Sequence, residues 1–332
     1  MLRLLTRSDL DATAWDACVA GAHNALIYGH TWYLDAVTNA SGWQWEGLVE
    51  ANVAGGYVAV LPVPLRRRWG RWVVYQPLFC QFLALFSEKP IDAAPFIKAV
   101  YDRYRYGSRW QLLLDPMPNL PPQVRWQVMH THVLPLVEMG SKRDAISWRD
   151  GIPHSYTADR RMNLRRATRR VADVPDWQLT ESTDVEPLLT LFRENHADQI
   201  GVGEWSYNLF RATFRAVQER GLGTLQYAWA GGSIVAGALF VAHHKRIIYL
   251  FNAANAEGRR LNARSILMDN QIREGTEKAA MAPHLLDFES PDKPGVVAFY
   301  ESFGATPQPY VSLSWNRLTW VEKLVQCLKS NV

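Results

Sequence analysis

Thr224-Leu-Gln-Tyr-Ala-Trp-Ala230, Gly231-Gly232-Ser233 and Ile234-Val-Ala-Gly-Ala-Leu-Phe-Val241 form the stretch from which the rest of the chain can be read. Two apolar runs joined by Gly-Gly-Ser predict a β-hairpin, because glycine supplies the positive φ that a tight turn needs. A basic turn, His243-His244-Lys245-Arg246, leads into a third strand, Ile247-Ile-Tyr-Leu-Phe251. Asn252 to Asn262 is polar and feeds a helix predicted over Ala263 to Lys278. A buried-type strand, Leu285-Leu-Asp-Phe-Glu289, and a short helix ending at Phe303-Gly304 complete the unit.

The same order occurs earlier in the chain. Trp43-Gln-Trp-Glu-Gly-Leu-Val-Glu50 and Tyr57-Val-Ala-Val-Leu61 flank Gly55-Gly56, and Arg66-Arg-Arg-Trp-Gly-Arg71 precedes Trp72-Val-Val-Tyr75. Gly55 plus 176 gives Gly231, and Tyr75 plus 176 falls on Phe251. A helix over Asp92 to Tyr106 then leads to Leu112-Leu-Leu-Asp115, as the second helix leads to Leu285-Leu-Asp287. Several features in one order at one offset predict a duplication. The first half does not repeat the polar loop: it has Gln76-Pro-Leu-Phe-Cys-Gln-Phe-Leu-Ala-Leu-Phe86 there.

The second half resembles the cofactor half of the GNAT acyltransferase superfamily. The most specific piece is Phe299-Tyr300-Glu301-Ser302-Phe303-Gly304-Ala305. Arg259-Arg260-Leu261-Asn262-Ala263-Arg264 and Leu286-Asp287-Phe288-Glu289 are similar to segments of the FemAB-like branch. The loop keeps the arginine that opens the superfamily's pyrophosphate pattern, but has Asn262 and Arg264 where small residues stand. The resemblance implies a mixed α/β fold, a tandem pair of GNAT-like N-acyltransferase units. The expected division is an N-terminal degenerate unit over 1–140, a linker over 141–175 and a donor-binding unit over 176–332. The resemblance also implies an acyl-CoA donor, acetyl-CoA first, with aminoacyl-tRNA the donor of some FemAB-like members.

Composition sets the frame. The chain has 332 residues, 48% of them hydrophobic and 20% charged, which suits a folded chain of two domains. The net charge of +4 does not by itself call for nucleic acid. Cys18, Cys80 and Cys327 suggest neither a disulfide framework nor a zinc site, and fit a reducing compartment. Charges interrupt the apolar start too early for a signal peptide, and Trp72 to Phe86 is too short to span a bilayer. The expectation is a soluble cytoplasmic protein without a metal, since the nine histidines follow no ligand spacing. Oligomeric state is left open.

Between the halves, Arg160-Arg-Met-Asn-Leu-Arg-Arg-Ala-Thr-Arg-Arg170 holds six arginines in eleven residues, with Ser155 or Thr157 as helix cap and Pro175 beyond its end. This run resembles a helix that FemAB-like proteins carry before the second unit. An interdomain brace is its default reading; an anionic-ligand wall and an RNA contact are the alternatives, since arginine suits phosphate. Two helices are predicted over Thr183 to Arg220, and an amphipathic one over Leu318 to Leu328.

Acyl transfer to an amine needs a positioned donor and a hold on the tetrahedral oxyanion. The amides and side chains of Arg259, Arg260, Leu261, Asn262, Ala263, Arg264 and Ser265 are the candidate donor-phosphate site, because they lie between a strand and a helix start. Tyr300 matches the GNAT tyrosine that protonates the departing thiolate, and its bland reading is a packed core residue. Asp287 and Glu289, two apart on a strand, share a face and are the general-base candidates, Glu289 first. The acceptor is expected to be a small-molecule or peptide amine, with tRNA as a further partner. The other class of function is a non-catalytic module in which a decayed GNAT pair holds an anionic ligand or RNA.

Overall fold

The computed structural model describes residues 2–136, 148–149, 152–153, 155–200, 203–278, 284–291 and 293–323. The longer strands are β1 (Leu2–Thr6), β2 (Trp43–Ala51), β3 (Tyr57–Arg68), β4 (Arg71–Tyr75), β5 (Tyr106–Leu113), β6 (Arg125–Leu136), β7 (Gln178–Ser182), β8 (Gly223–Ala230), β9 (Ser233–His243), β10 (Arg246–Ala254), β11 (His284–Asp287) and β12 (Thr306–Asn316). The α-helices are α1 (Ala12–Ala20), α2 (Thr31–Val37), α3 (Ala94–Arg103), α4 (Ala158–Ala172), α5 (Glu186–Ile200), α6 (Glu204–Gln218), α7 (Ala256–Arg260), α8 (Ala263–Lys278) and α9 (Pro294–Glu301).

The mixed α/β chain forms two compact units. One comprises Met1–Met129, Asn208–Ala216 and Pro309–Val332; the other comprises His130–Tyr207 and Val217–Gln308. In the first, β1 to β4 are consecutive antiparallel neighbours. After α3, β5 lies parallel to β4, with Val74 beside Gly107 and Tyr75 beside Ser108. Strand β12 then pairs antiparallel with β5.

The second unit repeats this plan. Strands β7 to β10 are antiparallel neighbours. After α8, β11 lies parallel to β10, with Arg246 to Ile248 beside Leu285 to Asp287. Strand β6 closes the unit antiparallel to β11. The match with the first unit follows the sequence offset, since Tyr57 plus 176 gives Ser233, the first residues of β3 and β9.

Local chemistry explains the elements. Gly231 and Gly232 both have positive φ (57° and 74°), the geometry that lets a two-residue turn match the twist of its strands. Val235 to Val241 of β9 are buried without alternation, as expected of a strand covered by helices, and α5 and α8 both pack on it. Thr157 caps α4, accepting the Arg160 N–H at 3.2 Å. The core of the second unit gathers Leu164, Phe240, Leu261, Leu267, Met268, Leu286, Phe288 and Phe303.

Several boundaries move. Asp11, not Ser8 or Asp9, caps the first helix, accepting from the Thr13 and Ala14 amides. The polar loop over 252–262 is mostly structured, because β10 runs on to Ala254 and α7 follows. Strand β11 ends at Asp287, so Glu289 lies beyond it. Strands β1, β6, β7 and β12 have no counterpart in the sequence reading; prolines inside β6 and β12 interrupt their apolar pattern. Of the amphipathic stretch 318–328, residues 324–328 lie outside the described residues, as does Cys327. Among the described residues, no helix is long and apolar enough to cross a membrane.

Candidate active site

In the second unit the parallel pair β10–β11 is short. The ladder ends at Ile248 and Asp287, whereas β10 continues to Ala254. The chain leaves β11 at Phe288, whose N–H donates to the His132 carbonyl at 3.0 Å. A register shift opposite Tyr249 and Phe251 puts a bulge in β10 where the two strands part. Backbone groups on the diverging edges are thereby released from the β10–β11 ladder.

The loop after β10 leads through α7 to the start of α8. Asn255 accepts the Gly258 N–H at 2.9 Å and so caps α7. A Cβ at Gly258 would come within 2.2 Å of the Val235 carbonyl oxygen, so only glycine lets α7 lie this close to β9. Leu261 and Ala263 are fully buried and anchor the turn, while Asn262 has φ +58°. Asparagine tolerates that left-handed conformation better than most residues. The conformation accounts for an asparagine at a position the superfamily pattern gives to a small residue. At this start the Leu261, Asn262 and Ser265 amides already donate to the Glu257, Arg259 and Asn262 carbonyls at 2.9, 3.1 and 2.9 Å, and the N-terminus carries the positive end of the helix dipole.

The arginines are arranged around this start. Arg259 Nη1 donates to the Ala254 carbonyl at 2.7 Å, and Arg264 Nη1 reaches Asn252 Oδ1 at 3.4 Å. Arg260 is exposed and pairs with Glu257 at 2.6 Å, while its carbonyl accepts from Arg170 Nη1 at 2.5 Å. Ser265 is buried, and its hydroxyl accepts from Arg160 Nη1 at 2.8 Å.

Tyr300 lies on α9 with its ring in the core, 4.6 Å from the Phe288 ring centroid and 5.5 Å from that of Phe299. Burial pushes its phenol pKa up; the charge of Arg264 opposes the rise, and Glu289 and Asp287 add to it. Residues from the helix start, the strand end and α9 therefore act on one hydroxyl. Among the described residues that hydroxyl has no hydrogen-bond partner, whereas Tyr156 donates to Asp269 at 2.9 Å.

The two carboxylates differ. Asp287 is fully buried and forms an ion pair with Arg246, and it accepts the Thr131 hydroxyl at 2.6 Å and the Glu289 N–H at 3.0 Å. Glu289 is half-buried with φ +46°, a costly conformation held by that Asp287 bond. The alternation rule that put both on one face does not apply, because Glu289 is outside the strand.

Sequence reasoning missed the role of Arg160. Its Nε donates to Ser302 Oγ at 2.8 Å, its Nη1 to Ser265, and its guanidinium lies 4.5 Å from both the Phe299 and Phe303 ring centroids. It joins α4, the start of α8 and α9, while Arg161 donates to the Tyr156 carbonyl. These two and Arg170 act as braces within the second unit. The exposed face of α4 carries Arg165, Arg166 and Arg169. The run of six arginines was the available signal, but it did not tell these roles apart.

Residues 158–282 match the family model of the acetyltransferase (GNAT) domain. This match covers the part of the chain from α4 to α8. The chain's fold is shared with FemX at a TM-score of 0.62 and 12% identity, covering 91% of this chain and 96% of that one. A tandem GNAT protein from the clavulanic acid biosynthesis pathway superposes with a TM-score of 0.52 at 12% identity, covering 95% and 98%. A C-terminal domain from Agrobacterium fabrum, named as that of a lysylphosphatidylglycerol synthetase, gives 0.53 at 12% identity, covering 98% and 97%. No curated protein matches the sequence. The fold is thus that of tandem GNAT proteins of the FemAB-like kind.

Proposed function

We propose that this chain is a GNAT-type N-acyltransferase whose donor lies where β10 and β11 part. The observation that carries the reading is the meeting of three parts: diverging parallel strands, the α8 start at Asn262 to Ser265, and the Tyr300 hydroxyl under the influence of Arg264. The donor is an acyl-CoA, acetyl-CoA first, or an aminoacyl-tRNA, and the acceptor is a small-molecule or peptide amine. Donor phosphates sit at the start of α8, on the Ala263 and Arg264 amides, with Arg259 and Arg260 turning from their internal partners to the ligand.

The acceptor amine gives up a proton to Glu289 and attacks the donor carbonyl, forming the C–N bond. Strand amides of β10 hold the oxyanion. Collapse breaks the bond to the leaving sulfur or oxygen, which takes the Tyr300 proton; exchange with water then resets both residues. Its raised pKa keeps the phenol protonated through the neutral range, as a general acid requires. Asp287 is a positioning residue that holds the Glu289 amide. Calorimetric titration with CoA, acetyl-CoA, longer acyl-CoAs and charged tRNA tests the reading. One donor class should bind at unit stoichiometry and be released by Arg264→Glu. Binding that ignores this change would move the site elsewhere, and no binding at all would favour the non-catalytic module.

A further inference from the structure

The basic turn at Arg66 to Arg71 is not used by the transfer chemistry. In the first unit it is the tip of the β3–β4 hairpin, where Trp69 and Gly70 both have positive φ (51° and 79°). For a bulky residue this is a strained conformation, held only where its surroundings require it. It sets the Trp69 ring edge-on to Tyr106 at 5.2 Å. Beside these rings is a cavity of about 340 Å³, a volume suited to a small ligand. Its aromatic walls are Trp69, Trp72 and Tyr106, and Arg71, Arg103 and Arg105 supply its charge.

Two of these arginines already hold a carboxylate. Arg71 Nη2 and Arg105 Nη1 converge on Glu322 Oε1 at 2.7 and 2.9 Å. The Glu322 side chain is only 8% exposed. Its other oxygen accepts the Thr319 N–H at 2.7 Å, as in a capping box. Glu46, the acid that lines the cavity itself, is engaged by the Tyr104 hydroxyl at 2.5 Å. With Glu322 lifted away, three guanidiniums would face one committed carboxylate across aromatic walls.

We propose that this cavity binds a small anion, a carboxylate or phosphate on an aromatic body, and that Glu322 is its internal stand-in, displaced when the ligand enters. The proposal is independent of the donor reading. It uses only side chains of the first unit, at the entry ends of β4 and β5.

The test is calorimetry of the full chain and its Glu322→Gln variant with indole-3-acetate and phenyl phosphate, alongside hydrogen exchange of the unaltered protein. Removing the internal competitor should tighten binding by at least about tenfold, since it deletes charge-assisted bonds. Arg71→Ala should abolish binding in both backgrounds, and either probe should raise exchange at residues 319–323 in the unaltered chain. Whichever probe binds tighter names the headgroup. Silence of both probes at millimolar concentration, or equal affinity with and without the Glu322 charge, would reduce the contact to a structural tie. Should Glu322→Gln fail to fold, unchanged exchange at 319–323 in the unaltered protein would overturn the proposal.

Discussion

The two units part company at one place in their shared plan. In the second, β10 runs past the end of β11, and the polar segment Asn252 to Asn262 turns into α7 and the start of α8. In the first, β4 stops at Tyr75, and the equivalent chain folds back into the sheet. Leu83 and Ala84 pair parallel with Leu112 and Leu113 of β5, beyond the point where β4 leaves it. Phe82, Leu83, Ala84 and Phe86 are fully buried, and the Gln76 amide is bonded to Cys80 O at 2.8 Å and Gln111 N at 3.1 Å. In one unit the strands part without a further pairing strand, and in the other the chain itself pairs there. About ten residues decide the difference, because an apolar segment gains by burial in the gap and a polar one does not.

The largest test of this contrast is catalytic. Tyr300→Phe keeps the ring packing and deletes the proto-donor hydroxyl, so turnover should fall by about 10²–10⁴-fold with donor affinity and melting temperature unchanged. A loss of stability with activity intact would make Tyr300 a core residue and leave the proposed site without an acid. Next is the filling. Phe82→Ala should cost about 3–5 kcal/mol of stability in chemical denaturation, as for other buried aromatic truncations. Donor stoichiometry should stay at one; a second bound donor would show that the filled gap is a latent site.

Alkaline titration should separate the units more gently. Burial raises the phenols of Tyr33 and Tyr104 in the first unit and of Tyr156, Tyr227, Tyr249 and Tyr300 in the second. A raised phenol pKa stabilises the fold below the unfolded value of about 10 and loses that contribution as pH climbs toward the folded value. Hydrogen exchange above about pH 10 should therefore weaken protection in both units, more steeply in the second; equal slopes would contradict it. Smallest is the loop. Replacing Arg259 and Arg260 together by alanine should weaken donor binding about tenfold or more by calorimetry, and unchanged affinity would leave the helix amides as the whole phosphate site.

The sequence alone carried the repeat, the hairpins, the order of the hairpin strands and the helices after them, and the loop at the start of α8. These follow from local chemistry: glycines at left-handed turns, apolar runs of strand length, and polar segments at helix starts. Gly55 and Gly231 could be matched without coordinates because each acts on its own neighbours.

Other features depended on partners far along the chain. Arg160 braces Ser302, 142 positions away, and Thr131 meets Asp287 across 156. No local pattern announces such pairs, so the run of six arginines concealed a buried brace, and nothing near Asp287 in the sequence showed that Arg246 pairs with it. The closing strands β6 and β12 were hidden for the same reason, since each gains its ladder from a strand remote in sequence. Backbone conformation and amphipathic pattern are written locally; the identity of a buried charge's partner is fixed only when packing brings the two together.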